Sequence, residues 1–251
     1  MLIEQTLEKL NAMKLLGMAK ALRQWLDQPK NKTLTPTDVV GLLADAEWIY
    51  RDNRKLELRL KKAKLKQPAC IEDIDYAHAR GLSKAVVLDL ASSRWVQSHQ
   101  NIILTGPTGI GKSWLACALG QKACRDGFSV TYRRSTRLFD ELGQARADGT
   151  YPHVLRRLAK AQVLIIDDFG IEPLAGAQRR DLLEVVEDRH KLASTIITSQ
   201  LQPEFWHAAI GDATIADAIC DRVVHAAHRI KLGGESIRKK EAIANGKKSA
   251  K

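Results

Sequence analysis

Between residues 4 and 27 the apolar positions Leu15, Met18, Ala19, Leu22 and Leu26 recur three or four apart, which places them on one face of an amphipathic helix. The stretch Gln28 to Thr35 breaks that pattern. Thr35 before Pro36 then reads as an N-cap with proline at the first helical position, and Asp38 adds a carboxylate to the first turn. A second helix is therefore expected from Pro36 to Lys66, stopped by Pro68. Residues 1–68 form, on this reading, a small all-helical N-terminal domain. From Asn101 the texture changes to short, β-branched apolar runs: Ile102 to Thr105, Val130 to Tyr132, Val163 to Ile166, Thr195 to Thr198 and Arg229 to Leu232. They alternate with helical stretches such as Lys112 to Arg125, ended by Gly127, and Ala177 to Lys191. Strands buried on both faces and separated by helices predict a parallel sheet with right-handed crossovers, so residues 69–238 read as an α/β domain. Residues 239–251 read as a basic, disordered tail.

With 251 residues, 45% apolar and 27% charged, there is room for one sizeable core plus a small appendage, and the composition is not that of a disordered or disulfide-rich chain. No apolar run is long enough to span a bilayer, and Glu4 and Glu8 stand where a signal peptide would be basic and then apolar. Cys70, Cys117, Cys124 and Cys220 lack the paired short spacing of zinc sites and read as reduced thiols filling apolar space, as expected of a cytoplasmic protein. The net charge of +11 is unevenly spread. Residues 1–68 hold 14 basic and 8 acidic side chains, the middle is balanced, and residues 238–251 hold 6 and 1. Basic flanks around a neutral engine suit a polyanion, nucleic acid first.

Directly after the first strand stands Gly106-Pro107-Thr108-Gly109-Ile110-Gly111-Lys112-Ser113, followed by Trp114. It matches the phosphate loop G-x-x-x-x-G-K-[ST] in the strand–loop–helix context the motif requires. Glycines let consecutive N–H groups point at phosphates, and the next helix adds its positive end. Lys112 is expected at the β- and γ-phosphates of ATP and the Ser113 hydroxyl on Mg²⁺. About fifty residues on, Val163-Leu164-Ile165-Ile166-Asp167-Asp168 has the Walker B form, an apolar strand ending in two acids. Asp167 is the candidate to hold Mg²⁺ through its water shell, and Asp168 the candidate to polarise an attacking water. Ser199 and Gln200 end the next strand. If that strand lies between the two motif strands, either residue could contact the γ-phosphate or the water.

The order of phosphate loop, Ile165-Ile166-Asp167-Asp168-Phe169-Gly170, Ile197-Thr198-Ser199-Gln200, Asp221-Arg222-Val223 and Gly234-Glu235-Ser236-Ile237-Arg238 resembles the IstB family of insertion-sequence ATP-binding helpers. It is similar, more loosely, to DnaC-type helicase loaders. The resemblance implies a three-layer AAA+ ATPase fold with a parallel sheet. It also implies a homo-oligomer with ATP at subunit interfaces, and a transposase as partner. By position, Arg222 looks like the arginine finger given to a neighbouring subunit's ATP, a role that suits a planar, permanently charged guanidinium. Arg238 looks like an ATP sensor in its own chain. Asp168 is one methylene shorter than the glutamate many AAA+ members carry, which implies slow turnover.

Tyr132-Arg133-Arg134-Ser135-Thr136-Arg137, the following helix to Arg146, and Arg156-Arg157 occupy the place that lines a DNA-facing channel in the relatives the resemblance points to. With Lys61 and Lys62 these arginines are the candidate DNA contacts. Aromatic residues make up only 5% of the chain, too few for a stacking platform, so duplex DNA gripped through phosphates is expected. The reading is an ATP-dependent transposition helper whose hydrolysis acts as a switch. The alternatives are a replicative helicase loader, a small-molecule P-loop kinase and a nucleotide-binding scaffold that does not hydrolyse.

Overall fold

A computed structural model describes residues 3–27, 34–76, 80–225 and 227–237. The chain divides into two compact units, Met1–Leu58 and Arg59–Lys251. In the first unit the segment expected as one helix is two, α1 (Ile3–Ala12) and α2 (Leu16–Leu26). The break is a Schellman turn: Lys14 is left-handed (φ 60°), its N–H bonds to Asn11 O, and Leu15 N–H bonds to Leu10 O. Periodicity misses it because the apolar face resumes on the far side and no glycine marks the turn. The long helix α3 (Pro36–Ala63) starts as read, with Thr35 and Asp38 exchanging side-chain bonds to each other's backbone N–H. It ends three residues short of the expected Lys66.

Gly17 brings α2 against α3. A Cβ there would lie 2.6 Å from Ala46 O and 2.7 Å from Tyr50 Cβ. The buried Glu47 carboxylate accepts from Gly17 N (2.7 Å) and Met18 N (3.1 Å), filling the free donors at the start of α2, and from Arg51 Nε (2.6 Å). Burial by itself would raise the Glu47 pKa, but Arg51 and the two backbone donors outweigh it, and the net shift is downward.

The second unit opens with the 3-10 turn Ile71–Asp73, then α4 (Lys84–Ala91) and α5 (Arg94–Gln97). Five strands follow: β1 (Asn101–Thr105), β2 (Val130–Arg134), β3 (Val163–Phe169), β4 (Ser194–Ser199) and β5 (Ala227–Lys231). They form one parallel sheet in the order β2-β3-β4-β1-β5, so β4 does lie between the two motif strands. Both faces are covered. Leu164 and Ile166 point into a core shared with α7 (Ser135–Ala147), α8 (Tyr151–Lys160), α9 (Gly176–Glu187), α10 (Trp206–Ile210) and α11 (Ala213–Val224). Ile165 points the other way, onto Gly120 of α6 (Lys112–Arg125). The result is the three-layer α/β arrangement that the strand–helix alternation predicts. Among the described residues no helix is long and apolar enough to cross a membrane. All four cysteines are free thiols, Cys117 and Cys124 buried, and burial pushes Cys124 up to about 11.

Candidate nucleotide site

The phosphate loop runs from the carboxyl end of β1 to the first turn of α6, and its backbone explains its glycines. Gly106, Gly109 and Gly111 have φ of 146°, 84° and 97°. At Gly106 a Cβ would meet Leu232 O at 2.2 Å, and at Gly109 it would meet Ser236 Oγ at 2.1 Å. The segment after β5 therefore lies directly on the loop, bound by Leu232 N–H to Thr105 O and Ile237 N–H to Gly109 O. Ile110 is fully buried and anchors the bend. Lys112 is 6% exposed, and its Nζ donates to Gly106 O (2.7 Å) and Pro107 O (2.9 Å), clasping the loop around its own ammonium. Thr108, Gly109, Gly111, Lys112, Ser113 and Trp114 line a cavity of about 670 Å³, a size suited to a nucleotide.

Opposite stands the end of β3. The pairing of β3 with β4 shifts register between Ile166 and Phe169, and Asp168 inside that irregularity is left-handed (φ 61°). Asp167 is fully buried. It accepts from Thr198 Oγ1 (2.6 Å), Tyr132 OH (2.6 Å) and Lys66 Nζ (3.4 Å), and Ser113 also donates to it. Burial pushes its pKa up, but the bonds from Thr198, Tyr132 and Ser113 with the Lys66 charge pull it lower still, so it is held ionised. Burial and the neighbouring carboxylate drive the Tyr132 phenol upward, which keeps it a donor. Thr198 also accepts from Asp168 N–H (2.9 Å), so one hydroxyl ties both acids to β4. The Asp168 carboxylate faces the cavity, 3.2 Å from Arg134 Nε and 4.0 Å from Lys66 Nζ.

The contact of Ser113 with a buried, ionised Asp167 at the mouth of the loop fits a magnesium ion bound through one hydroxyl, one acid and nucleotide phosphates. That donor set and the glycine cradle fit MgATP, which supplies the reactive phosphoanhydride; this chain's part is to hold and orient it.

Some expected site residues stand elsewhere. Gln200 lines the cavity, whereas the Ser199 hydroxyl is fully buried, donating to Phe169 O and accepting from Leu201 N. Arg222 stands in the last turn of α11, outside the cavity, bonded to Glu187 (2.7 Å) and Ala218 O (2.9 Å). Arg238 lies outside the described residues, as does the tail 239–251. Among the arginines read as DNA contacts, Arg133 is paired with Glu141, and Arg146 is bound to Asp181 and stacked on the Tyr151 ring at 3.8 Å. Arg134 is on Asp168, and Arg137 is exposed. Lys61 and Lys62 are exposed on the last turn of α3. Arg133, Arg134 and Arg146 are thus committed to carboxylates of their own chain, a pairing that a count of basic residues does not reveal.

Lys66, Tyr132 and Thr198 escaped the sequence reading. Lys66 was hidden in a lysine-rich run that reads as a solvated helix end, and Tyr132 and Thr198 in runs read as strand core.

A glycine loop between a central strand and its helix, two acids at the end of β3 and an inserted strand β4 define a P-loop ATPase of the AAA+ fold. The family model described as IstB-like ATP binding protein matches residues 8–245, and the chain belongs to that family. An insertion sequence ATP-binding protein of Sinorhizobium fredii is 51% identical over 96% of this chain and 98% of its own length. Among solved structures, DnaI is similar with a TM-score of 0.57 at 20% identity, covering 67% of this chain and 95% of that one. The DnaC helicase loader is similar at 0.51 and 18%, covering 69% and 98%. The likeness to these two is one of fold. The chain is accordingly an ATP-binding ATPase whose cofactors are ATP and Mg²⁺.

Proposed function

We propose that the protein assembles on duplex target DNA in its ATP-bound form and recruits or stimulates a transposase, with hydrolysis releasing the assembly. The observation that carries the assembly step is the place of Arg222. It precedes β5, whose other end reaches the phosphate loop through Leu232. Five residues of strand separate the two ends by about 16 Å, so Arg222 is out of reach of its own nucleotide, and it would serve a neighbour's by exchanging its ion pair with Glu187 for the phosphate. In such an interface Lys112 and the loop N–H groups hold the phosphates. Ser113 and Asp167 hold the metal, Asp168 and Gln200 orient water, and the neighbour's Arg222 meets the charge developing on the transferred phosphoryl group. Arg238 is proposed to contact the nucleotide of its own chain. The relatives' association with insertion sequences supports the transposase as partner.

For DNA, Lys61, Lys62 and Arg137 are exposed and pair with no carboxylate among the described residues, and they are proposed to grip phosphates. Sedimentation with and without MgATP and duplex DNA tests the proposal: a larger species that needs both is expected, while a monomer under every condition contradicts it. Affinity for unrelated duplexes should fall steeply between about 50 and 200 mM salt. A preference for single strands would favour a loader instead.

A further inference from the structure

The nucleotide cavity holds a cation that no motif announces. Arg80, just before α4, is 4% exposed and lines the same cavity as Lys112 and Ser113. Its Nη2 donates to Asp75 O at 3.3 Å, whereas its buried Nε has no hydrogen-bond partner among the described residues. A guanidinium taken out of water is costly until its N–H groups and its charge are both met, and a neutral carbonyl meets one N–H alone. Burial lowers its pKa, against the opposing pull of Asp75 and Tyr76. The group also presses on the phosphate loop, because a Cβ built on Gly111 would lie 2.8 Å from its Nη1.

Topology says which end of a nucleotide it faces. The Arg80 carbonyl accepts from Gly233 N–H (3.0 Å), two residues beyond β5. Strand β5 flanks β1 on the side away from β4 and β3. Arg80 therefore stands on the β5 side of the loop, and Asp167 and Asp168 on the β3 side. A triphosphate whose terminal phosphate meets the β3 acids turns its α-phosphate and nucleoside toward Arg80.

We propose that Arg80 is a nucleotide-binding residue, donating from its guanidinium to the α-phosphate end of the nucleotide held by its own chain, the part that ATP and ADP share. The inference rests on the phosphate-loop reading of residues 106–114. A planar fork of donors on permanent charge is the group suited to a phosphate that has no metal of its own. Arg80 then holds ATP and ADP alike, and discrimination between them is left to the β3 side.

Calorimetric titration of ATP and ADP, each with Mg²⁺, into the full chain and into Arg80→Gln, Arg80→Lys and Lys112→Ala tests this. Arg80→Gln is expected to weaken both nucleotides by the same factor, on the order of tenfold or more. Arg80→Lys, which keeps the charge and loses the fork, should fall between. Without nucleotide the melting temperature of Arg80→Gln should be unchanged or higher, since a costly buried charge has gone, while its rise on adding MgADP should shrink. Unaltered ADP affinity in both Arg80 variants, or a loss confined to ATP, overturns the proposal. Arg80→Lys carries the comparison should Arg80→Gln not fold. Full binding by Lys112→Ala would overturn the phosphate-loop reading itself; lost binding there with full binding in the Arg80 variants would overturn Arg80 alone.

Discussion

Replacing Thr198 by valine keeps the shape of a fully buried side chain and removes the hydroxyl that joins the two acids of β3. Two losses follow. Asp167, ionised and shut away from water, loses a 2.6 Å donor, a charge-assisted bond worth about 1.5–3 kcal/mol. Asp168 N–H loses its acceptor, which costs about 1–3 kcal/mol where water cannot replace it. Roughly 4 kcal/mol of destabilisation is the central expectation, and for a unit of this size each kcal/mol lowers the melting temperature by about 2–4 °C. Differential scanning calorimetry of Thr198→Val should therefore show a fall of about 8–16 °C. Thr198→Ser, which keeps the hydroxyl, should recover most of it. ATP turnover should fall in the valine variant even where the protein is fully folded, because Asp168 is released from its left-handed position. Unchanged melting and turnover in Thr198→Val would refute the reasoning, since the hydroxyl would then be doing neither job.

Arg222→Ala should bind ATP normally and lose on the order of a thousandfold or more in turnover. Mixing it with Lys112→Ala should restore a fraction, because one variant keeps the nucleotide and the other the arginine; a mixture as inactive as its parts would place the arginine outside the reaction. Asp168→Asn should retain nucleotide by calorimetry and fail to release phosphate, and phosphate release at the parent rate would remove Asp168 from the chemistry. Glu47 has a pKa below its ordinary value, so its contribution is fully present above the unfolded carboxyl pKa, about 4.3, and is lost as pH falls through the folded value. Glu47→Gln should accordingly be less stable near neutrality and flatter toward acid in a pH series of denaturation midpoints, and parallel curves would contradict this. Gly17→Ala should cost about 1–3 kcal/mol by forcing α2 from α3, read as faster hydrogen exchange in both helices.

The motifs carried most of the site because each is local. Residues 106–113 need only the end of a strand and the start of a helix to become a phosphate cradle, and both are written in the adjacent apolar pattern. The insertion of β4 between β1 and β3 was open in the sequence, because parallel order depends on how helices stack on each face. Lys66 was illegible for a related reason. Its meaning comes from a partner a hundred residues away, reached only when the chain beyond Ala63 folds back so that Leu65 lies on Gly120. The split between Thr198 and Ser199 was hidden because alternation along a strand sends neighbours to opposite faces, and the side chain that reaches the acids is Thr198. The ion pairs of Arg133 and Arg146 were not legible because a run of like charges does not show which carboxylates the helices α7 and α9 will bring beside it.

The account's central claim is that the triphosphate tail of ATP sits in the loop from Gly106 to Trp114 facing Asp167. Titration of ATP with Mg²⁺ into Lys112→Ala, with melting used to show that the variant is folded, tests it most directly. Binding weakened at least a hundredfold is predicted, since the one ammonium within the loop is gone. A folded Lys112→Ala that binds ATP as tightly as the parent would contradict it.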